Sequence, residues 1–235
     1  MQPMRRIPGC GMSNLRDLGG YPTAEGGATR YGVFYRADSA RGMTAEKTEA
    51  FRALGISTVV DLRAPEEGRN QLAEIEGVEV LSIPLMQYQS FALIPACDSL
   101  AELYLQALDH ARVEIATVLR ALLEAKGGAL FHCSAGKDRT GMIAALLLLL
   151  CGVAREDILA DYQVSNTYIQ PVIAQLTAMG HQVDPKLIIS TPDMLEPFLE
   201  EIERRGGVRE YLTTCGVADS AMDGLRDKLV NGSAL

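Results

Sequence analysis

The 235-residue chain has no excess of basic residues, no apolar stretch as long as a membrane span, no closely spaced cysteine pair and no internal repeat or low-complexity tract. Each absence removes a class of function. With 22 Lys+Arg against 30 Asp+Glu the net charge is −8, the wrong sign for a protein that grips nucleic acid through clustered cations and counterion release. No nucleic-acid partner is expected, and an anionic substrate must be held by local geometry. The longest apolar run, 142–151, is half of the roughly 20 residues a bilayer span needs. The N-terminus is briefly basic at Arg5-Arg6 but leads into no apolar signal region. The expectation is a cytoplasmic protein with no membrane span; secretion by a signal-less route stays open, and the oligomeric state is not legible.

Cys10, Cys97, Cys133, Cys151 and Cys215 are odd in number, widely spaced and without a C-x-x-C pair. A disulfide scaffold and a structural zinc site both fit poorly, so no metal and no cofactor is expected. Most of these cysteines read as small buried apolar residues. Only Cys133 has surroundings that ask for more.

What is present is apolar material, 48% of the chain, enough for one sizeable core and one domain spanning 1–235. Strand-like segments at 31–36, 56–62, 78–83 and 129–132 alternate with helical ones, the first capped by Thr44 and stopped at Gly55, and two more between 98 and 126. This predicts an α/β fold: a central, mostly parallel sheet flanked by helices. After Gly152 only helices are expected, at 156–164, 167–179 around Pro171, 192–205 and 219–230. The part from about 155 to 205 either covers the sheet or acts as a lid over a site, and periodicity favours cover.

The informative segment is His132-Cys133-Ser134-Ala135-Gly136-Lys137-Asp138-Arg139-Thr140-Gly141, between a short apolar strand and an apolar helix. Strand, tight loop and helix start form an anion-binding geometry, with amides of Ser134, Ala135 and Gly136 turned inward and the helix supplying about half a positive charge. In that cradle Cys133 is favoured as a thiolate nucleophile. Arg139, six residues on, can fold back and grip two oxygens of a tetrahedral dianion. Thr140 offers a hydroxyl to the leaving thiolate, and His132 orders the loop. A Walker loop would need Gly at 131 and Ser or Thr at 138, where the chain has Phe131 and Asp138.

His-Cys-x-Ala-Gly-Lys-Asp-Arg-Thr-Gly resembles the active loop of the bacterial atypical tyrosine phosphatases, cysteine-dependent enzymes of which some also act on phosphoinositides. The blocks at 14–21, Tyr35-Arg36-Ala37-Asp38, Val60-Asp61-Leu62-Arg63 and Asp161-Tyr162-x-x-Ser165-Asn166 resemble that family too, in its order. The resemblance implies the cysteine-phosphatase fold and hydrolysis of a phosphate monoester, phosphotyrosine first, through a phosphocysteine and without metal. The partner implied is a phosphorylated protein or a phosphoinositide. Two carboxylates are candidates for the general acid: Asp138, favoured by the resemblance, and Asp61, for which the resemblance also implies pairing with Arg139. Lys137 either adds general anion attraction or contacts a second phosphate. Arg16, Asp17, Arg36, Asp38 and Arg63 read as an ion network that supports the loop. The alternatives are a phosphoinositide phosphatase of the same mechanism and a silent phosphate-binding module.

Overall fold

The computed structural model describes residues 5–86, 99–178 and 189–231, and side chains within 5–86, 99–169 and 189–230. Cys97 and the end of the helix expected at 167–179 lie outside the described residues. Among the described residues five strands, β1 (Arg16–Asp17), β2 (Phe34–Ala37), β3 (Ile56–Asp61), β4 (Glu79–Ser82) and β5 (Gly128–His132), form one sheet in the order β1-β2-β5-β3-β4. Of these strands β1 and β2 pair antiparallel, while β2, β5, β3 and β4 run parallel. The central strands are short and buried on both faces, as parallel strands between helices must be. Leu130 and Val59 point to one side, where Phe51 of α1 (Ala45–Arg52) meets them. Ala129, Phe131 and Val60 point to the other, into a larger core built with the remaining helices.

Those helices are α2 (Leu100–His110), α3 (Arg112–Glu124), α4 (Asp138–Leu150), α5 (Arg155–Ala178), α6 (Pro192–Arg204), α7 (Val208–Thr214) and α8 (Asp219–Arg226). Local chemistry sets several starts: Thr44 Oγ1 accepts from Lys47 N at 3.3 Å ahead of α1, and Ser99 Oγ from Glu102 N at 3.2 Å ahead of α2. α4 is apolar around its whole circumference and lies buried against the sheet. Among the described residues no helix is long and apolar enough to cross a membrane.

The two helices expected at 156–164 and 167–179 are one continuous helix, α5. Ser165 and Asn166, weak helix formers, are held by tertiary bonds. Ser165 Oγ accepts from Asn14 and Arg16, while Asn166 clamps the backbone of Ser190 through two hydrogen bonds of 3.0 and 2.6 Å. The strand expected from residue 31 starts at Phe34. β1 and α7 had no periodic signal to announce them.

Candidate active site

β5 delivers Cys133 at its carboxyl end, flanked by the ends of β2 and β3 in register: His132 pairs with Ala37 on one side and Asp61 on the other. Ligands of open parallel sheets bind at such carboxyl ends. Residues 133–137 form a tight loop, and α4 starts at Asp138.

The loop is held from outside by its carbonyls. Ser134 O accepts from Ser39 N and Oγ, both at 3.3 Å; Ala135 O accepts from Asn14 Nδ2 at 3.1 Å; Gly136 O accepts from Asn14 Nδ2 at 3.2 Å and from Arg36 Nη2 at 2.9 Å. A peptide plane carries its C=O and N–H on opposite sides, so carbonyls fixed outward leave the amides for the interior of the loop. Gly136 makes the close approach possible. Its φ is +67°, and a Cβ there would lie 2.5 Å from Ala37 C and Asp38 N.

Arg139 lies 3% exposed. Its guanidinium meets Glu67 end-on, through Nη1 to Oε1 and through Nη2 to Oε2 at 2.7 Å, and Nη1 also reaches Leu62 O at 3.3 Å. Glu67 Oε2 accepts from Ser134 Oγ at 2.6 Å and Oε1 from Ala64 N at 3.0 Å. Burial alone would raise the Glu67 acid, but the bonds from Arg139 and Ser134 outweigh it and pull it down to about 2.

The pairing of Asp61 with Arg139 is therefore corrected: Glu67, not singled out in the sequence, is the carboxylate on that arginine. Asp61 is spent elsewhere. It accepts from Arg63 Nε at 2.9 Å and Nη2 at 2.8 Å, and from Asn70 Nδ2 at 2.9 Å. Burial pushes its carboxyl up, yet the Arg63 bonds hold it below the usual range. Asn70 Oδ1 accepts from Leu72 N at 3.0 Å, which orients the amide so that Nδ2 donates to His132 Nε2 at 2.8 Å. The His132 proton is then on Nδ1, bonded to Cys133 O at 3.2 Å. Burial lowers the imidazole further, so the ring is neutral and bonded to the loop backbone at Cys133 O.

The expected ion network divides into separate clusters. Arg16 Nε binds Asp161 Oδ1 at 2.8 Å, Arg36 binds Asp161 Oδ2, and Tyr21 Oη donates to Oδ1 at 2.9 Å, tying β1 and β2 to α5 beneath the loop. Asp38 accepts from the amides of Ser13 and Asn14 at 3.2 and 2.8 Å. Asp17 accepts from the amides of Gly19 and Gly32 at 2.8 and 2.7 Å, so it closes the 18–32 loop, and among the described residues its side-chain hydrogen bonds go there and not to the 133–137 loop.

Asp138 begins α4 with its side chain 18% exposed. Its Oδ1 accepts from Tyr104 Oη and lies 3.3 Å from Lys137 Nζ. Lys137 is fully buried and Thr140 likewise, with Thr140 Oγ1 bonded to no described side chain or backbone group. Among the described residues no three His, Cys, Asp or Glu side chains are grouped to hold a metal ion.

Residues 7–231 match the tyrosine phosphatase family along their whole length. A Cupriavidus necator protein that carries a provisional tyrosine-protein phosphatase name is 32% identical over 224 residues, covering 86% of this chain and 80% of its own. The triple specificity protein phosphatase PtpB of Mycobacterium tuberculosis is 29% identical over 127 residues, 46% of each chain. The crystal structure of TpbA from P. aeruginosa is 19% identical, with 79% of this chain and 87% of that one aligned at a TM-score of 0.44.

Proposed function

Because the chain belongs to the tyrosine phosphatase family, we propose that it hydrolyses phosphate monoesters, phosphotyrosine in proteins first, through a phosphocysteine on Cys133. The observation that carries this reading is the loop itself: a cysteine at the end of β5, amides freed by carbonyls bonded outward, and Arg139 fixed end-on by Glu67. The substrate's phosphoryl oxygens sit on the amides of 134–139 and on the guanidinium, and the Cys133 thiolate attacks phosphorus in line with the leaving oxygen. As the S–P bond forms and the P–O bond breaks, Asp138 gives its proton to the leaving oxygen. The Asp138 carboxylate then takes a proton from water, which attacks phosphorus, releases orthophosphate and returns the thiolate. The Thr140 hydroxyl is the donor that receives that thiolate.

Asp138 is the better acid of the two candidates on environment. The Asp61 carboxylate is held ionised by Arg63 and Asn70, whereas Asp138 stands at the mouth of the loop, partly exposed. Lys137 lies buried against Asp138, which favours a role with the acid over reaching for a second phosphate. The triple-specificity name of the M. tuberculosis relative supports breadth beyond phosphotyrosine. The deciding experiment compares Cys133→Ser with the parent on phosphotyrosine peptides and phosphoinositides at matched concentration. The reading expects peptide hydrolysis to exceed lipid hydrolysis, to be blocked by vanadate, to survive EDTA, and to vanish in Cys133→Ser. A silent module would hydrolyse neither substrate, and a lipid enzyme would invert the preference.

A further inference from the structure

Two buried tyrosines that the loop motif does not contain form a line that ends on the proposed acid. Tyr104 of α2 is 0% exposed and its hydroxyl donates to Asp138 Oδ1. Tyr162 of α5 is equally buried, its ring edge-on to that of Tyr104 with centroids 6.3 Å apart, and the two hydroxyl oxygens are 2.8 Å apart. Since the single Tyr104 proton is given to Asp138, Tyr162 must be the donor in that pair. Gly141, the last residue of the loop motif, is what lets Tyr162 in: a Cβ there would lie 3.0 Å from Tyr162 Cδ2. Four residues beyond Tyr162, Asn166 clamps Ser190 just ahead of α6. The pair thus stands where α2, α4 and α5 converge.

We propose that Tyr104, backed by Tyr162, is a positioning residue that fixes Oδ1 of Asp138 and so leaves the transferable proton to Oδ2. The inference rests on Asp138 being the general acid. Oδ1 already faces two donors, the Tyr104 hydroxyl and the Lys137 ammonium at 3.3 Å, and an oxygen so surrounded is the wrong place for a third proton. With Oδ1 pinned, the carboxyl group cannot rotate, and Oδ2 delivers its proton in one direction. After transfer, the new carboxylate charge is stabilised by the same two donors, and in the second step Oδ2 takes the proton of the attacking water. Neither tyrosine changes its protonation. Burial and the Asp138 charge push the Tyr104 phenol well above its ordinary value. The titratable groups set against Asp138 among the described residues are Tyr104 from α2, Tyr162 from α5, and Lys137 and Arg139 from its own loop and helix.

The test uses Tyr104→Phe, which keeps the ring, and Tyr162→Phe, each alone and with Asp138→Asn, on phenyl phosphate and on the phosphate of a much more acidic phenol. Tyr104→Phe is expected to lose about tenfold in kcat/KM, which reports the step that expels the phenol, on phenyl phosphate and under threefold on the better leaving group. Tyr162→Phe changes both in the same direction by less, and Tyr104→Phe adds nothing once Asp138 is Asn. Equal losses in kcat/KM on both substrates, or a full extra loss in the Asp138→Asn background, would overturn the proposal. If Asp138→Asn itself shows no leaving-group dependence, the acid assignment fails and the proposal with it. If Asp138→Asn shows the dependence and Tyr104→Phe does not, the proposal alone fails.

Discussion

Glu67 and Asp61 show how a carboxylate's partner decides its part. Both lie near the loop, Asp61 buried and Glu67 half-buried, but the fork of Arg139 is closed on Glu67 and that of Arg63 on Asp61. A bidentate partner fixes a guanidinium's plane, so Glu67→Gln should leave Arg139 in place less of the time. A loss of about tenfold to a hundredfold in kcat/KM on a phosphotyrosine peptide is expected, with Asp61→Asn losing equally on good and poor leaving groups because it acts only through the loop's brace. The same pair predicts a pH dependence of stability. Glu67 titrates at about 2 in the fold against an ordinary 4.5, so its contribution is complete above the ordinary value and is lost as pH falls towards the folded one. Urea unfolding at pH 6 and pH 3 should show the parent losing about 2 kcal/mol more than Glu67→Gln over that interval. Identical losses would mean that the pair contributes nothing to folding.

Elements were legible where their signal was local. The strand before Cys133 and the all-apolar helix after it follow from a glycine turn, a short hydrophobic run and a long one, and the alternation of strands with helices sufficed for the sheet's class. Of the cradle's supports Arg36 was legible, but Asn14, Ser39 and Glu67 were not, because they reach the loop from positions 67 or more residues distant in sequence. α5 runs on through Ser165 and Asn166, where the expected helices stop and restart, because tertiary hydrogen bonds that propensity does not register hold those side chains. Asp17 was placed with the loop on its neighbours' account, while its two oxygens serve the backbone of another turn. The aspartate shared by Arg16 and Arg36 carries a prediction at this scale. Asp161→Asn leaves Arg16 and Arg36 buried without their common charge, and breaking such a buried pair costs about 3–5 kcal/mol, to be read from the shift in the urea midpoint. Gly136→Ala, strained by its φ and its contact with the backbone of Ala37, should cost about 2 kcal/mol or more and activity with it. A folded, fully active Gly136→Ala protein would contradict the described path of the loop.

For the molecule as a whole, a net charge of −8 coexists with an anion site because the relevant cations, Arg139 and Lys137, are buried at one helix start and reinforced by backbone dipoles that a charge count omits. The thiols are distributed in the same selective way. Cys10, Cys151 and Cys215 are buried, and burial pushes each thiol up, Cys151 to about 12. Iodoacetate at neutral pH should therefore inactivate the enzyme by labelling Cys133 first, with orthophosphate protecting; labelling of any other cysteine should not track the loss of activity. The most direct measurement is a rapid acid quench of the enzyme mixed with a labelled aryl phosphate, followed by peptide mapping. The account predicts a burst of phenol approaching one equivalent whenever hydrolysis of the intermediate is the slower step, with label on the Cys133 peptide and none in Cys133→Ser. Turnover with no label on Cys133 even in an Asp138 variant slowed in the second step, or label on another residue, would contradict it.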